Sequence, residues 1–342
     1  MNTPDLSAWQ IDVQQYPSQG SFREQMCFLL RYAILAPSSH NSQPWRFKLD
    51  EDGLWLLADR TRSLGASDPY DRELVISCGA ALMNLRVAFA YFGNPVEINT
   101  FPYKIEPDVF AHMQPNPGAQ QAPALAPLLR EITRRSTNRR RYQDEKLPGS
   151  LCAQLVAAAR EEGVTLSLIE SDTARHEVAE LIAEGDAVQF ADSGFRRELA
   201  VWLRGSRAYD GMPAYAPDSS ALLDATVPIK GLAIRTFDMG EHVAAAHEAL
   251  VQGSPTLAAL STDLDDVHAW LAAGQALQRI LLIAQAAGFD ASFLNQPIEV
   301  DTLRARLRQI ADGAAFPQIL LRIGRADRQT HTPRRPVEDV LC

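Results

Sequence analysis

Gly79-Ala80-Ala81-Leu82-Met83-Asn84-Leu85 belongs to an apolar run that stops at Gly93. It returns 195 residues later as Gly274-Gln275-Ala276-Leu277-Gln278-Arg279-Ile280, in a run that stops at Gly288. Ala81 stands against Ala276, Leu82 against Leu277, Leu85 against Ile280 and Val87 against Leu282, so both runs present the same apolar face at helical spacing. A glycine inside a helix costs about 1 kcal/mol relative to alanine. Two of them at equivalent places imply that something packs closely against each helix. Any two buried helices share small and aliphatic residues, but a repeat of one fold also accounts for the matched glycines.

The flanking sequence continues the repeat. Ser21 and Glu24 make a capping box ahead of Phe22, Met26, Leu29, Leu30, Ala33 and Ile34, which predicts a helix over 22–35. Asp52-Gly53 between two apolar runs predicts a hairpin, and a helix over 71–92 is followed by a strand over 96–101. Residues 103–126, rich in Pro, Gln and Ala, read as a surface crossover dividing a half at 1–125 from a half at 126–342. In the second half we expect helices over 148–162, 172–189, 264–287 and 299–311, and strands over 164–170, 257–260 and 317–324. Residues 191–240, irregular and rich in Gly, Pro, Asp and Trp, form a long insertion of the kind that often covers a site.

A chain of 342 residues with 46% apolar composition can build two ordinary domains or one large one. Its formal charge of −9 disfavours nucleic acid as the main partner, because phosphate backbones call for a basic surface. Arginines nevertheless gather at 134–141 and 334–335, which hints at a small anionic ligand. Four cysteines lie far apart with no Cys-x-x-Cys pair, so we expect buried thiols rather than a zinc site or a disulfide framework, and no metal. No run approaches the roughly 18 uninterrupted apolar residues of a spanning helix, so no membrane partner and a cytoplasmic location are expected.

Two stretches carry chemistry. Ala36-Pro37-Ser38-Ser39-His40-Asn41-Ser42-Gln43-Pro44-Trp45 is a polar turn joining a helix to a strand, with hydroxyls and amides suited to the polar edge of a small ligand. Taken alone it is equally well a plain turn. Arg134-Arg135-Ser136-Thr137-Asn138-Arg139-Arg140-Arg141-Tyr142 offers guanidinium forks and hydroxyls together, a match for a phosphate monoester or else a solvated basic helix end. There is no Gly-x-Gly-x-x-Gly after a strand, no phosphate-binding Gly-x-x-x-x-Gly-Lys and no Gly-x-Ser-x-Gly elbow.

The first stretch resembles the Pro-Ser-x-x-Asn-x-Gln-Pro-Trp signature of the nitroreductase family, dimeric flavoenzymes that hold FMN at the subunit interface. The second resembles the family's Arg-x-Ser-x-Arg opening, matched by Arg135, Thr137 and Arg139. Tyr142 stands one residue later than the family's aromatic, which leaves two registers open. The resemblance implies FMN contacts from Pro37, Ser38, Ser39, Asn41 and Gln43 in one half, and from Arg135, Ser136, Thr137, Asn138 and Arg139 in the other. It implies that Arg139 stabilises the reduced flavin, and that Arg334 or Arg335 meets the phosphate from Thr332-Pro333-Arg334-Arg335-Pro336. It also implies that the loop Gly288–Gln296, with Leu294, Asn295 and Gln296, aims a backbone N–H at the flavin N5.

Because each motif occurs once, the set completes one site and implies one FMN per chain. Asp59-Arg60-Thr61-Arg62 and Asp68-Pro69 are similar to the Acg-like branch, in which fused halves form an intramolecular pseudodimer under a lid. The lid would carry Arg197, Glu198, Trp202, Arg207, Asp210, Gly211, Met212 and Pro213. The expectation is therefore an α+β nitroreductase-like fold in a monomer or homodimer. Its function would be reduction of nitroaromatic or quinone-like acceptors with NAD(P)H through FMN, with no catalytic acid or base required of a side chain. The competing expectation is a protein that sequesters flavin beneath a lid that blocks turnover.

Overall fold

The computed structural model describes residues 4–119, 122–205, 207–213, 253–311 and 315–342, together with 232, 234, 235, 251 and 313. The expected lid at 191–240 therefore falls partly outside the described residues, which include its first part, up to Pro213.

The first half runs α1 (Phe22–Ala33), β1 (Trp45–Asp50), β2 (Gly53–Ala58), α2 (Arg72–Phe92), β3 (Val96–Thr100) and β4 (Val109–Pro115). The second opens with the single-turn α3 (Leu129–Ile132) and runs α4 (Gly149–Glu161), β5 (Thr165–Ile169), α5 (Asp172–Ala191), α6 (Ser193–Val201), the two-residue strands β6 (Leu203–Arg204) and β7 (Met212–Pro213), and β8 (Thr256–Thr262). It continues with α7 (Val267–Ala286), β9 (Asp290–Phe293), α8 (Gln296–Glu299), α9 (Asp301–Ile310), β10 (Phe316–Gly324) and α10 (Val337–Val340).

The repeat is visible in the sheets. Each is four-stranded and antiparallel, in the order β1-β2-β4-β3 in one half and β5-β8-β10-β9 in the other. The strands thus match one for one along the chain. α2 and α7 stand at equivalent places and pack side by side at the centre of the α+β structure.

Gly79 and Gly274 are where they touch. A Cβ on Gly79 would overlap the Leu271 carbonyl oxygen and lie 3.0 Å from Gly274 Cα, and one on Gly274 would overlap the Ile76 carbonyl and lie 2.9 Å from Gly79 Cα. Backbone meets backbone, a contact that only glycine allows. One turn on, Gln278 Nε2 donates to Asn84 Oδ1 at 2.7 Å inside this interface, and Asn84 Nδ2 donates to the Tyr32 carbonyl at 2.8 Å. Glu162 lies between Arg86 and Arg279 beside it. α2 is apolar and long enough to cross a membrane, but 83% of its most apolar window is buried inside the protein.

Three expectations are corrected. The stretch 103–126 is not all crossover, because β4 lies inside it as an inner strand whose Val109, Phe110, Ala111 and Met113 are buried. The loop after Gly288 contains the short strand β9. Of the four cysteines, all free, Cys78 is buried while Cys27 and Cys152 are half-buried and Cys342 is exposed.

The C-terminal segment crosses back onto the first sheet, where Phe47 bridges Leu341 and the Cys342 N–H donates to the Phe47 carbonyl at 2.8 Å. That crossing brings Arg334 and Arg335 to the turn at 37–43.

Candidate functional site

The turn after α1 is built from uncommon backbone. His40, Asn41 and Gln43 all have φ of 53°, three of the five non-glycine residues with positive φ among those described. His and Asn tolerate this region better than most side chains, but each such residue still costs of order 1–3 kcal/mol and persists where its surroundings enforce it. Here the enforcement is hydrogen bonding. Ser38 Oγ accepts from the Gln43 N–H at 2.9 Å, and Gln43 Oε1 accepts from the Arg335 N–H at 2.8 Å. Asn41 Oδ1 accepts from Arg334 at 2.9 Å, while its amide donates to the carbonyls of Gly211 and Pro333.

The arginine segment reaches the same place from the other half. Thr137 bridges Ala291 of β9, and the Asn138 N–H donates to the Ala291 carbonyl at 3.1 Å. The buried Asn138 amide donates to Asp290 and to the Asp327 carbonyl. Arg322, fully buried on β10, donates to the carbonyls of Asn138 and Arg140 and lies 4.0 Å over the Tyr142 ring. Its Nε donates to Ser292 Oγ at 2.6 Å. Tyr142 in turn donates to the Asn138 carbonyl at 2.9 Å, so this side chain closes the segment that presents Arg135.

Pro37, Ser38, His40 and Asn41 from the turn line one cavity with Arg135, Ser136, Thr137 and Arg139, together with Arg334 and Thr332 from the crossing tail. Trp9, Met212, Pro213, Phe293, Gln329, Thr330 and His331 complete the wall. The space left inside is about 90 Å³.

Its electrostatics are unusual. Arg135 is 3% exposed and Arg334 5% exposed, and neither is paired with a carboxylate among the described residues. The Nε atoms of both are buried without a partner. Burial pushes the Arg135 pKa down to about 10; burial and then the charge of Arg135 push Arg334 down to about 9. Isolated charges of one sign are expensive to bury, and an anion is the chemical complement of such a pair. Arg334 also lies 4.9 Å over the Trp9 ring, which stacks on His331 at 4.0 Å.

Other residues singled out in the sequence are placed elsewhere. Ser39 Oγ donates to Glu73 of α2, whose other oxygen accepts from Asn295 at 2.9 Å, so the two loops are wired together through one buried carboxylate. Asn295 Oδ1 accepts from the Leu320 N–H at 3.0 Å, Leu294 is buried, and Gln296 donates to Asp186 of α5 at 3.2 Å. Beside Glu73, burial and then the Glu73 charge raise the Asp68 pKa to about 7 and hold Glu299 well above its usual range. Gln43 is fully buried in the turn, and Arg335 turns away toward Asp59 at 3.5 Å.

The described part of the insertion lies against the turn, and its Met212 and Pro213 line the cavity. The Gly211 N–H donates to the Asn41 carbonyl at 3.2 Å, and Gln43 Nε2 donates to the Tyr209 carbonyl at 2.8 Å. Asp210 pairs with Arg62 and, at 3.3 Å, with Arg204; both guanidiniums lie over the Trp202 ring. Glu198 accepts from the backbone of Ala66 and Ser67 and from the Ser67 hydroxyl.

Comparison with known proteins gives this arrangement a family. The chain is 33% identical over 324 residues to a Mycobacterium tuberculosis H37Rv protein assigned by its name to the NAD(P)H nitroreductases, covering 92% of this chain and 90% of that one. The chain belongs to the NAD(P)H nitroreductase family. A second relative from the same organism, named Acg and likewise called a nitroreductase, is 28% identical over 91% of this chain and 93% of its own. No protein-family profile matches. Among solved structures, the nitroreductase NfnB of Mycobacterium smegmatis covers 63% of this chain and 97% of its own at 16% identity, with a TM-score of 0.41.

Several wall residues of this family member escaped the sequence reading. Trp9 and the run Gln329–His331 lie outside the motifs, and only the proximity of that run to Thr332-Pro333-Arg334-Arg335-Pro336 pointed toward it. Arg322 sits in a largely apolar strand, and an arginine among Ile319, Leu320, Leu321 and Ile323 is a signal that a buried acceptor set exists.

Proposed function

We propose that this nitroreductase binds one FMN between its halves and uses it to pass electrons from NAD(P)H to a small nitroaromatic or quinone-like acceptor. The observation that carries the reading is the Arg135–Arg334 pair, buried in the cavity that the 37–41 turn also lines and without a counter-charge among the described residues. A phosphate monoester carries nearly two negative charges and accepts guanidinium forks, so it meets the need that these side chains leave open. Ser136, Thr137 and Thr332 add hydroxyls on the same wall.

FMN, when bound, supplies the hydride chemistry; the chain supplies its position and its electrostatic surroundings. Arg139, which lines the cavity as well, holds positive charge where a reduced and therefore more anionic ring is favoured.

A second reading rests on the insertion. The free space is about 90 Å³, while cofactor-sized ligands occupy pockets of roughly 300–1,000 Å³. The strap's carbonyls also engage the amides of Asn41 and Gln43. A cover that closes in this way over bound FMN would sequester it from nicotinamide. The purified protein is expected to be yellow, and anaerobic NADH or NADPH is expected to bleach the visible flavin band. A yellow protein that neither nucleotide bleaches would favour sequestration, and a colourless protein that takes up no added FMN would overturn both readings.

A further inference from the structure

We propose that His40 is a hydrogen-bonding residue for the bound cofactor, acting as a neutral imidazole through its Nδ1. The inference rests on the FMN reading and adds a residue that the motif comparison leaves as a variable position.

Four observations converge. His40 lines the cavity between the turn and the arginine segment. Its Nδ1 is buried and has no hydrogen-bond partner among the described residues, which is costly for a polar atom and points to a partner supplied by the ligand. Its backbone is held at φ 53° between Ser39, fastened to Glu73, and Asn41, fastened to Arg334, so the ring is aimed rather than free. Burial, and then the nearby positive charge of Arg139, lower its pKa to about 4, which leaves the imidazole neutral at physiological pH.

A neutral imidazole offers one N–H and one lone pair according to tautomer. The pyrimidine edge of a flavin presents carbonyl oxygens and an N–H, so either tautomer finds a complement there. A protonated ring would instead add a fourth charge to a wall that already carries Arg135, Arg139 and Arg334.

Three substitutions separate the ring from the backbone. His40→Gly keeps the left-handed turn without strain and deletes the ring. His40→Asn tolerates the same backbone and returns a polar atom close to the Nδ1 position, whereas His40→Gln carries it farther out. FMN is titrated into the apo form of each variant with flavin fluorescence as the readout, and thermal melts check folding. His40→Gly is expected to raise the FMN Kd about 2- to 13-fold, the fold-change equivalent of one neutral hydrogen bond. His40→Asn is expected to stay within about twofold of the unmodified chain, and His40→Gln to resemble the glycine variant. Unchanged FMN affinity in a folded His40→Gly protein, or equal weakening by Gly and Asn, would overturn the assignment while leaving the cofactor reading intact. No FMN binding by the unmodified chain would overturn that reading itself.

Discussion

The two halves share a sheet order and differ in what joins the strands. In the first half β1 passes to β2 through Glu51 and Asp52, and Thr100 passes to Val109 without a helix. In the second, α5, α6 and the strap intervene between β5 and β8, and α8 and α9 between β9 and β10. The undecorated half keeps the polar turn; the decorated half holds the arginine segment and the cover. A duplicated scaffold has thus divided the labour of one site, and neither half carries the whole set.

The largest test breaks the contact that holds the halves together. Gly274→Ala puts a methyl group into the Ile76 carbonyl, and overpacking against backbone outweighs the roughly 1 kcal/mol that alanine gains in a helix. A net loss of about 2 kcal/mol or more is expected in urea unfolding. Gly149→Ala, at the start of α4 with nothing near its added methyl, is expected to be neutral or stabilising, and equal losses in the two variants would refute the close-contact account.

Removing Arg135 sharpens the contrast between resting stability and binding. Arg135→Met eliminates a buried charge that has no counter-charge among the described residues, so the FMN-free protein should melt higher, while FMN should bind at least about tenfold more weakly. A variant that melts lower and binds FMN normally would contradict both signs.

The junction between the halves at Glu73 predicts a pH dependence. The folded pKa of Asp68, about 7, lies above its unfolded value of about 3.9, so the stability it contributes is complete below about pH 4 and lost as pH rises through about 7. Asp68→Asn should flatten the fall in melting temperature across that window, with Glu299 supplying the slope that remains. An unaltered profile would show that Asp68 is not the titrating group.

The smallest effect belongs to the strap. Asp210 and Arg62 are partly exposed, so their pair contributes at most about 1 kcal/mol. Asp210→Asn is expected to speed FMN association up to about fivefold in stopped-flow mixing, less at high salt, and a slower rate would argue against a cover held by this pair.

Much of this comparison was legible in the sequence because it depends on strong local signals. The matched Gly79 and Gly274 announced the helix contact, and Asp52-Gly53 announced the β1–β2 hairpin at its observed place. β4 was hidden because its buried Val109-Phe110-Ala111 is short and lies in Pro- and Gln-rich surroundings; it gains its identity from the neighbouring β3 and from β2, far away in sequence. β9 was hidden for the same reason: its four residues are specified by β10. The site divides similarly. The turn and the arginine segment were readable as motifs, and the structure brings Pro37, Ser38 and Asn41 to one cavity with Arg135 and Arg334. The placement of Ser39 and Asn295 on Glu73 was not readable, since a shared carboxylate is a matter of three-dimensional register.

The glycine crossing has one more consequence. Where α2 and α7 meet without side chains, no rotamer can absorb a change in spacing, so any displacement of one half is passed undiminished to the other. A cavity lined from both halves inherits that spacing, and substitutions at the crossing, far from its walls, can detune it.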